Sequence, residues 1–288
     1  MDKEKAIALN NEGASHFLNK EFNKALECYN KAYELDPTNA SLLNNLGLYY
    51  HQGKKYQKAL QFFERALSLA QKPQFMVNAG NSLAMMGKYE DAALQYENAL
   101  QQEPNHNSAR VSLAHLAAHT GDFKKAIAIW QELMRSAPSS VYAIELAKVY
   151  MKIKDWEKAL KTLHGIEASE GNVMAWRMIG QCEYQLKNFG LAQKAFKMAL
   201  AENPDEVESR QHLAINYLAM GDWEEGIRQL EMILQMNPEN YQIMTELAVV
   251  YLGKGYMEKA TTWLDKALTI KPDFPKALRY KQMLDANQ

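Results

Sequence analysis

A small residue returns along this chain at a nearly fixed interval: Gly13, Gly47, Gly80, Ala114, Ala147, Gly180, Ala214 and Ala248, spaced by 34, 33, 34, 33, 33, 34 and 34 residues. Nine residues after each of the first seven stands an aromatic, Phe22, Tyr56, Tyr89, Phe123, Trp156, Phe189 and Trp223, and in the eighth copy the aromatic, Tyr256, comes eight residues on. Twelve residues after each stands a second small residue: Ala25, Ala59, Ala92, Ala126, Ala159, Ala192, Gly226 and Ala260. Three features kept through eight copies define a repeat architecture, in which each copy buries its apolar face against its neighbours.

The period inside a copy is helical. Leu43, Leu46, Gly47 and Tyr50 share one helical face, Gly53 and Lys54 interrupt, and Tyr56, Ala59, Leu60, Phe63 and Leu67 resume the spacing. Proline, which cannot continue a helix, follows the second helix at Pro37, Pro104, Pro138, Pro204, Pro238 and Pro272; Pro73 and Pro275 also sit at copy junctions. Small residues let the two helices of a copy approach, and aromatics such as Tyr89 and Tyr96 fill the space between copies.

This pattern resembles the tetratricopeptide repeat. The sixth copy, VMAWRMIGQCEYQLKNFGLAQKAFKMALAENP, carries the family's Trp176, Gly180, Ala192, Phe196, Ala199 and Pro204. The resemblance divides the chain into an extension (1–5), eight repeats (6–39, 40–72, 73–106, 107–139, 140–172, 173–206, 207–240 and 241–274) and a capping helix (275–288). It implies an all-α solenoid of sixteen repeat helices and a cap, wound as a right-handed superhelix. Repeat five departs most: Leu163 and Ile166 replace an aromatic and an alanine, and ASEGN replaces the proline junction, so its second helix is expected to be short. The cap is expected to turn Lys276, Arg279 and Lys281 to water.

Composition narrows the function. With 33 basic and 34 acidic residues the net charge is -1, no segment is strongly basic, and nucleic acid is not expected as a partner. The start, MDKEKAIALNNEG, lacks a long apolar run, so no signal peptide is expected; nor does any stretch approach the roughly 18 apolar residues of a membrane span. Cys28 and Cys182 form neither a disulfide framework nor a metal spacing; they read as buried thiols of a cytoplasmic protein. The 15 methionines fall largely at core spacing. Phosphate-binding, dinucleotide-binding and zinc-protease motifs are missing, so neither catalysis nor a cofactor is expected. His115 and His119, four apart on one helical face, could present two metal ligands, but local partners are lacking and two polar surface side chains are the simpler reading.

The resemblance also implies that each first helix lines a concave surface, with inward positions two and three before the small residue, one after it, and four or five after it. Two before it stand Asn11, Asn45, Asn78, Ser112, Glu145, Met178, His212 and Glu246, with Asn10, Asn44 and Asn81 beside the first three. An asparagine offers donors and an acceptor to a peptide backbone. The column is similar to the asparagine ladder in the repeat superhelix of the O-linked N-acetylglucosamine transferases. Repeats one to three read as neutral and amide-rich, with Gln52 and Gln74 joining the asparagines; repeats five to eight read as charged, with Glu145, Lys148, Lys152, Arg177, Glu208 and Glu246. Against the carboxylate clamp of chaperone adaptors the fit is poor: Asn45 matches, but Asn10, Ala14, Gln74 and Asn78 stand where other clamp residues belong, which argues against a heat-shock chaperone tail. The expected function is a non-enzymatic adaptor or scaffold holding an extended partner segment through Asn11, Asn44, Asn45, Gln74, Asn78, Asn81, Met85 and His115, or through Lys148 and Arg177. The rival is an assembly unit that self-associates through its ends or convex surface.

Overall fold

The computed structural model describes residues 2–164, 166 and 172–286. Seventeen α-helices and no strand occur among them. The chain divides into two compact halves, 1–142 and 143–288.

The first half holds four helix pairs: α1 (Asp2–Leu18) with α2 (Phe22–Leu35), α3 (Ala40–Gln52) with α4 (Tyr56–Leu69), α5 (Pro73–Met85) with α6 (Tyr89–Gln102), and α7 (Asn107–Thr120) with α8 (Phe123–Ser136). Helices α2, α4 and α6 also pack on the next first helix, and α1, α3, α5 and α7 touch in succession. The cut between halves falls within α9 (Ser140–Lys152). The second half continues with α10 (Trp156–Leu163), then α11 (Val173–Gln185) with α12 (Phe189–Glu202), α13 (Val207–Ala219) with α14 (Trp223–Met236), and α15 (Tyr241–Gly253) with α16 (Met257–Ile270), ending in α17 (Pro275–Asp285) on α16.

The small residue has a specific partner sixteen residues on, within its own repeat. The Tyr29, Phe63, Tyr96 and Phe196 rings lie over Gly13, Gly47, Gly80 and Gly180. A Cβ placed on Gly80 would come within 2.5 Å of the Tyr96 ring, and one on Gly180 equally close to Phe196. Tyr96 therefore packs inside its own repeat, and it also shares a buried cluster with Phe63 of repeat two and Leu113 and Leu116 of repeat four, between repeats as the sequence reading put it. Where the small residue is Ala147, Ala214 or Ala248, the residue sixteen on is the smaller Leu163, Leu230 or Leu264, each buried. Repeat four alone combines alanine with a large ring, Ala114 with the buried Trp130.

Seven residues past each small residue the chain enters the left-handed region: Lys20, Lys54, Gly87, Gly121, Lys154, Lys187, Gly221 and Gly255 all have positive φ. One such residue between two helical segments gives the tight reversal of each pair. Six prolines follow a second-helix C-cap directly, while Pro73 and Pro275 open α5 and α17, where a missing N–H leaves no helical bond unmade.

Repeat five departs as expected in one respect. Its second helix, α10, has 8 residues, against 14 in every other second helix. The altered junction at 168–171 lies outside the described residues, as do the last two positions of the expected cap. In α17, Lys276 and Arg279 are exposed, but Lys281 is half-buried and pairs with Asp265 at 2.8 Å. No helix among the described residues is long and apolar enough to cross a membrane.

Candidate functional site

The asparagines expected to line a groove are largely spent on the scaffold. Asn45 on α3 donates from Nδ2 to Asn10 Oδ1 on α1 at 2.9 Å. Asn78 on α5 donates to Asn44 Oδ1 on α3 at 2.7 Å and accepts from Gln74 Nε2 at 3.0 Å. Asn78 is only 6% exposed, so the expectation of an open side chain pointing away from the core is corrected there. The physical reason is the packing of successive first helices: the position two before the small residue abuts the neighbouring first helix and spends its amide on that contact. Asn11 alone of the three is exposed.

The charged positions are similarly engaged within the second half. Arg177, 16% exposed, forms close ion pairs with Glu206 and Glu208, and Lys148 pairs with Glu145 at 2.6 Å. Gln211 donates to Glu246 at 2.8 Å, and burial raises the pKa of that carboxyl. Cations already matched to neighbouring acids offer little to an incoming carboxylate.

Three of the expected residues do meet in one place. Asn81 and Met85 on α5 and His115 on α7 line an open cleft of ≈ 550 Å³, together with His51, Tyr89, Tyr96, Ser112, Leu116 and His119. Every lining residue belongs to the first half. Asn81 is oriented by two hydroxyls: its Oδ1 accepts from Tyr96 at 2.8 Å and from Ser112 at 3.2 Å. Among the described residues nothing accepts from Asn81 Nδ2, which leaves two N–H donors at a half-buried position. Met85 stands beside it, 57% exposed. The rest of the wall is made of rings. His119 contacts the Tyr89 ring edge-on at 5.1 Å and shares a 3.0 Å hydrogen bond with its hydroxyl. His115 meets Trp130 edge-on at 5.0 Å, so the two histidines four apart are each engaged with an aromatic. His51 is hydrogen-bonded to Ser82 at 2.9 Å, and burial lowers its pKa. Burial also pushes the Tyr96 phenol up to about 12, so it stays a hydrogen-bond donor to Asn81.

The cleft combines an apolar floor, a pre-oriented pair of amide donors and three imidazole rings. Sequence reading named Asn81, Met85 and His115 as binding residues but did not count His51, Tyr89 or Ser112 among them. The signal for His51 and Ser112 was available: His51 lies four residues after Gly47, and Ser112 two before Ala114, both expected inward positions.

Comparison with known proteins bears on the whole chain. Tetratricopeptide repeat profiles match residues 4–72, 144–207 and 213–275, and a profile for subunit 3 of the anaphase-promoting complex, or cyclosome, matches residues 85–166. Tetratricopeptide repeat protein 21B of Mus musculus is 23% identical over 167 residues, covering 51% of this chain and 13% of the relative. Its counterpart from Homo sapiens is 25% identical over 184 residues, covering 54% and 14%. This chain thus spans about one-seventh of the length of these curated relatives. Among solved structures, the hetero-tetramer Cut9-Hcn1 of the anaphase-promoting complex superposes with a TM-score of 0.57 at 18% identity, over 96% of this chain and 55% of that one. MamA superposes at 0.51 and 22% identity, over 56% of this chain and 95% of that one. The repeat profiles together cover more than half of the sequence, and the paired helices carry the repeat's small, aromatic and proline positions: the chain belongs to the tetratricopeptide repeat family.

Proposed function

We propose that the chain is a non-enzymatic interaction module that receives an extended segment of a partner protein in the cleft between α3, α5 and α7. The observation that carries this reading is Asn81, whose carbonyl is held by Tyr96 and Ser112 while its amide protons have no acceptor among the described residues. An extended chain presents a main-chain carbonyl to such a donor and an apolar side chain to Met85, Leu116 and the Tyr89 ring. Two neutral hydrogen bonds and one buried apolar side chain support a moderate, salt-insensitive complex. The free, buried thiols Cys28 and Cys182 support a reducing compartment such as the cytoplasm.

The test is selection of peptides from a displayed library against the full chain, followed by affinity measurement on variants. Asn81→Ala and Met85→Glu should each weaken the selected peptides at least about tenfold, about 1.4 kcal/mol, with the helical signal unchanged. Selected peptides that bind both variants as tightly as the parent, but lose affinity for Lys148→Ala or Arg177→Ala, would move the site to the charged half. A mass that rises with concentration and no selectable peptide would favour the rival, self-association.

A further inference from the structure

Glu12, His16 and Cys28 converge at the first helix pair, one ligand atom of each lying within 4.8 Å of those of the other two. Glu12 and His16 are one turn apart on α1, with His16 Nε2 3.8 Å from Glu12 Oε1. Cys28 reaches them from α2; it is a free thiol, 8% exposed. The other imidazole nitrogen is already committed: His16 Nδ1 lies 2.5 Å from Glu21 Oε2, and Glu21 is tied to Lys24 at 3.1 Å. A carboxylate on Nδ1 fixes the proton there and leaves the Nε2 lone pair on the side of Glu12. That is the outer-shell partner that metal-binding histidines almost always have.

We propose that Glu12, His16 and Cys28 form a three-ligand site for Zn²⁺, with Glu21 as the positioning carboxylate behind His16 and the fourth place left to water. The donor set decides the class of metal. Thiolate with imidazole selects zinc and its chemical neighbours over magnesium and calcium, which take oxygen. The dimensions fit. Ligands about 2.0–2.3 Å from a tetrahedral metal stand about 3.3–3.8 Å apart, so the Glu12–His16 pair needs almost no movement and the widest pair closes by about 1 Å. Glu12 is exposed and can adjust to the metal by a rotamer change. Ion pairing accounts for Glu21 and Glu12 on the two imidazole nitrogens, but not for a thiol gathered into the same cluster. Binding exchanges the Cys28 thiol proton, released to water, for a metal–sulfur bond. Spacing hid the site, because His16 and Cys28 are twelve residues apart and meet only through the turn between α1 and α2.

The full chain, stripped with chelator under reducing conditions, is titrated with Co²⁺ as a visible stand-in and then with Zn²⁺ against a chromophoric chelator. One equivalent should bind with a dissociation constant of about 10 µM or below, and the Co²⁺ form should show a thiolate charge-transfer band. Glu21→Gln, which leaves all three ligands, should weaken binding by about 10–100-fold. Cys28→Ala should abolish the band. Glu12→Gln alters only an exposed side chain, so the fold is kept and the loss of affinity reports the ligand itself. Cys182→Ala and the pair His115→Gln, His119→Gln should change nothing. A Co²⁺ spectrum without a thiolate band, a band that follows Cys182, full affinity in Glu12→Gln, or binding no tighter than about 1 mM would each overturn the proposal.

Discussion

Exchange of the small residue and its partner in repeat three tests whether size compensation governs the interior of each repeat. In Gly80→Ala the new methyl would sit 2.5, 2.9 and 3.1 Å from three atoms of the Tyr96 ring. Comfortable carbon contact begins at about 3.5 Å, so the ring must retreat by about 1 Å. The ring is 2% exposed and its hydroxyl is bound to Asn81 at 2.8 Å, so retreat meets packed neighbours and strains that hydrogen bond. Overpacking costs about 1–3 kcal/mol and a weakened hydrogen bond adds to it, against about 1 kcal/mol recovered from alanine's better helix propensity. The net expectation is about 1–2 kcal/mol of destabilisation. Tyr96→Leu alone should cost about 2–4 kcal/mol through the cavity and the lost hydroxyl. The double variant recreates the alanine–leucine combination of repeats five, seven and eight, so it should lie above the sum of the singles by about 1–2 kcal/mol of coupling. Urea unfolding followed by circular dichroism gives the four stabilities. Hydrogen exchange across α5 and α6 localises the change, since an array of repeats need not unfold in one step. Additivity within about 0.5 kcal/mol, or a Gly80→Ala protein more stable than the parent, would refute the reasoning.

Three further outcomes are expected. Asn78→Ala should destabilise by about 1–3 kcal/mol in urea unfolding, because Asn44 Oδ1 and Gln74 Nε2 lose their buried partner; a neutral change would show that the amide chain between first helices contributes nothing. Burial lowers the pKa of His51 and of His212, where the Arg177 charge adds to the effect, so the unfolded chain binds more protons than the folded one. Stability should therefore fall as pH drops through about 6.5 toward the lowered folded values, with a shallower slope in His51→Gln, His212→Gln; an unchanged slope in that variant would refute the assignment. Hydrogen exchange should be faster in α10, with 8 residues, than in α12, with 14, and equal protection would count against a weak fifth repeat.

The fold was legible because it is stated eight times. Positions such as Gly47, Tyr56 and Ala59 recur with so little variation that helix, turn and junction follow from hydrophobic period and proline placement. The reversal residue was legible only in part: Gly87, Gly121, Gly221 and Gly255 announce a left-handed conformation, whereas Lys20, Lys54, Lys154 and Lys187 adopt it without any side-chain signal. The site was harder to read because pointing inward on one helix does not say what stands opposite. Asn78 and Asn81 are three residues apart on α5, yet Asn78 is consumed by α3 while Asn81 keeps two donors without an acceptor among the described residues. That difference depends on the neighbouring helices and is absent from the repeat pattern. The convergence of Glu12, His16 and Cys28 was invisible for the same reason.

The pairing of each small residue with the side chain sixteen positions later has a consequence for how such chains can change over generations. Both members lie inside one repeat, so a crossover at a proline junction transmits them together and yields a descendant whose interior is already consistent. A crossover between the two helices of a repeat separates them, uniting an alanine with a phenylalanine or a glycine with a leucine. Duplication, loss and shuffling of whole repeats are thereby far better tolerated than exchange of single helices, and the number of repeats can drift while the content of each is held fixed.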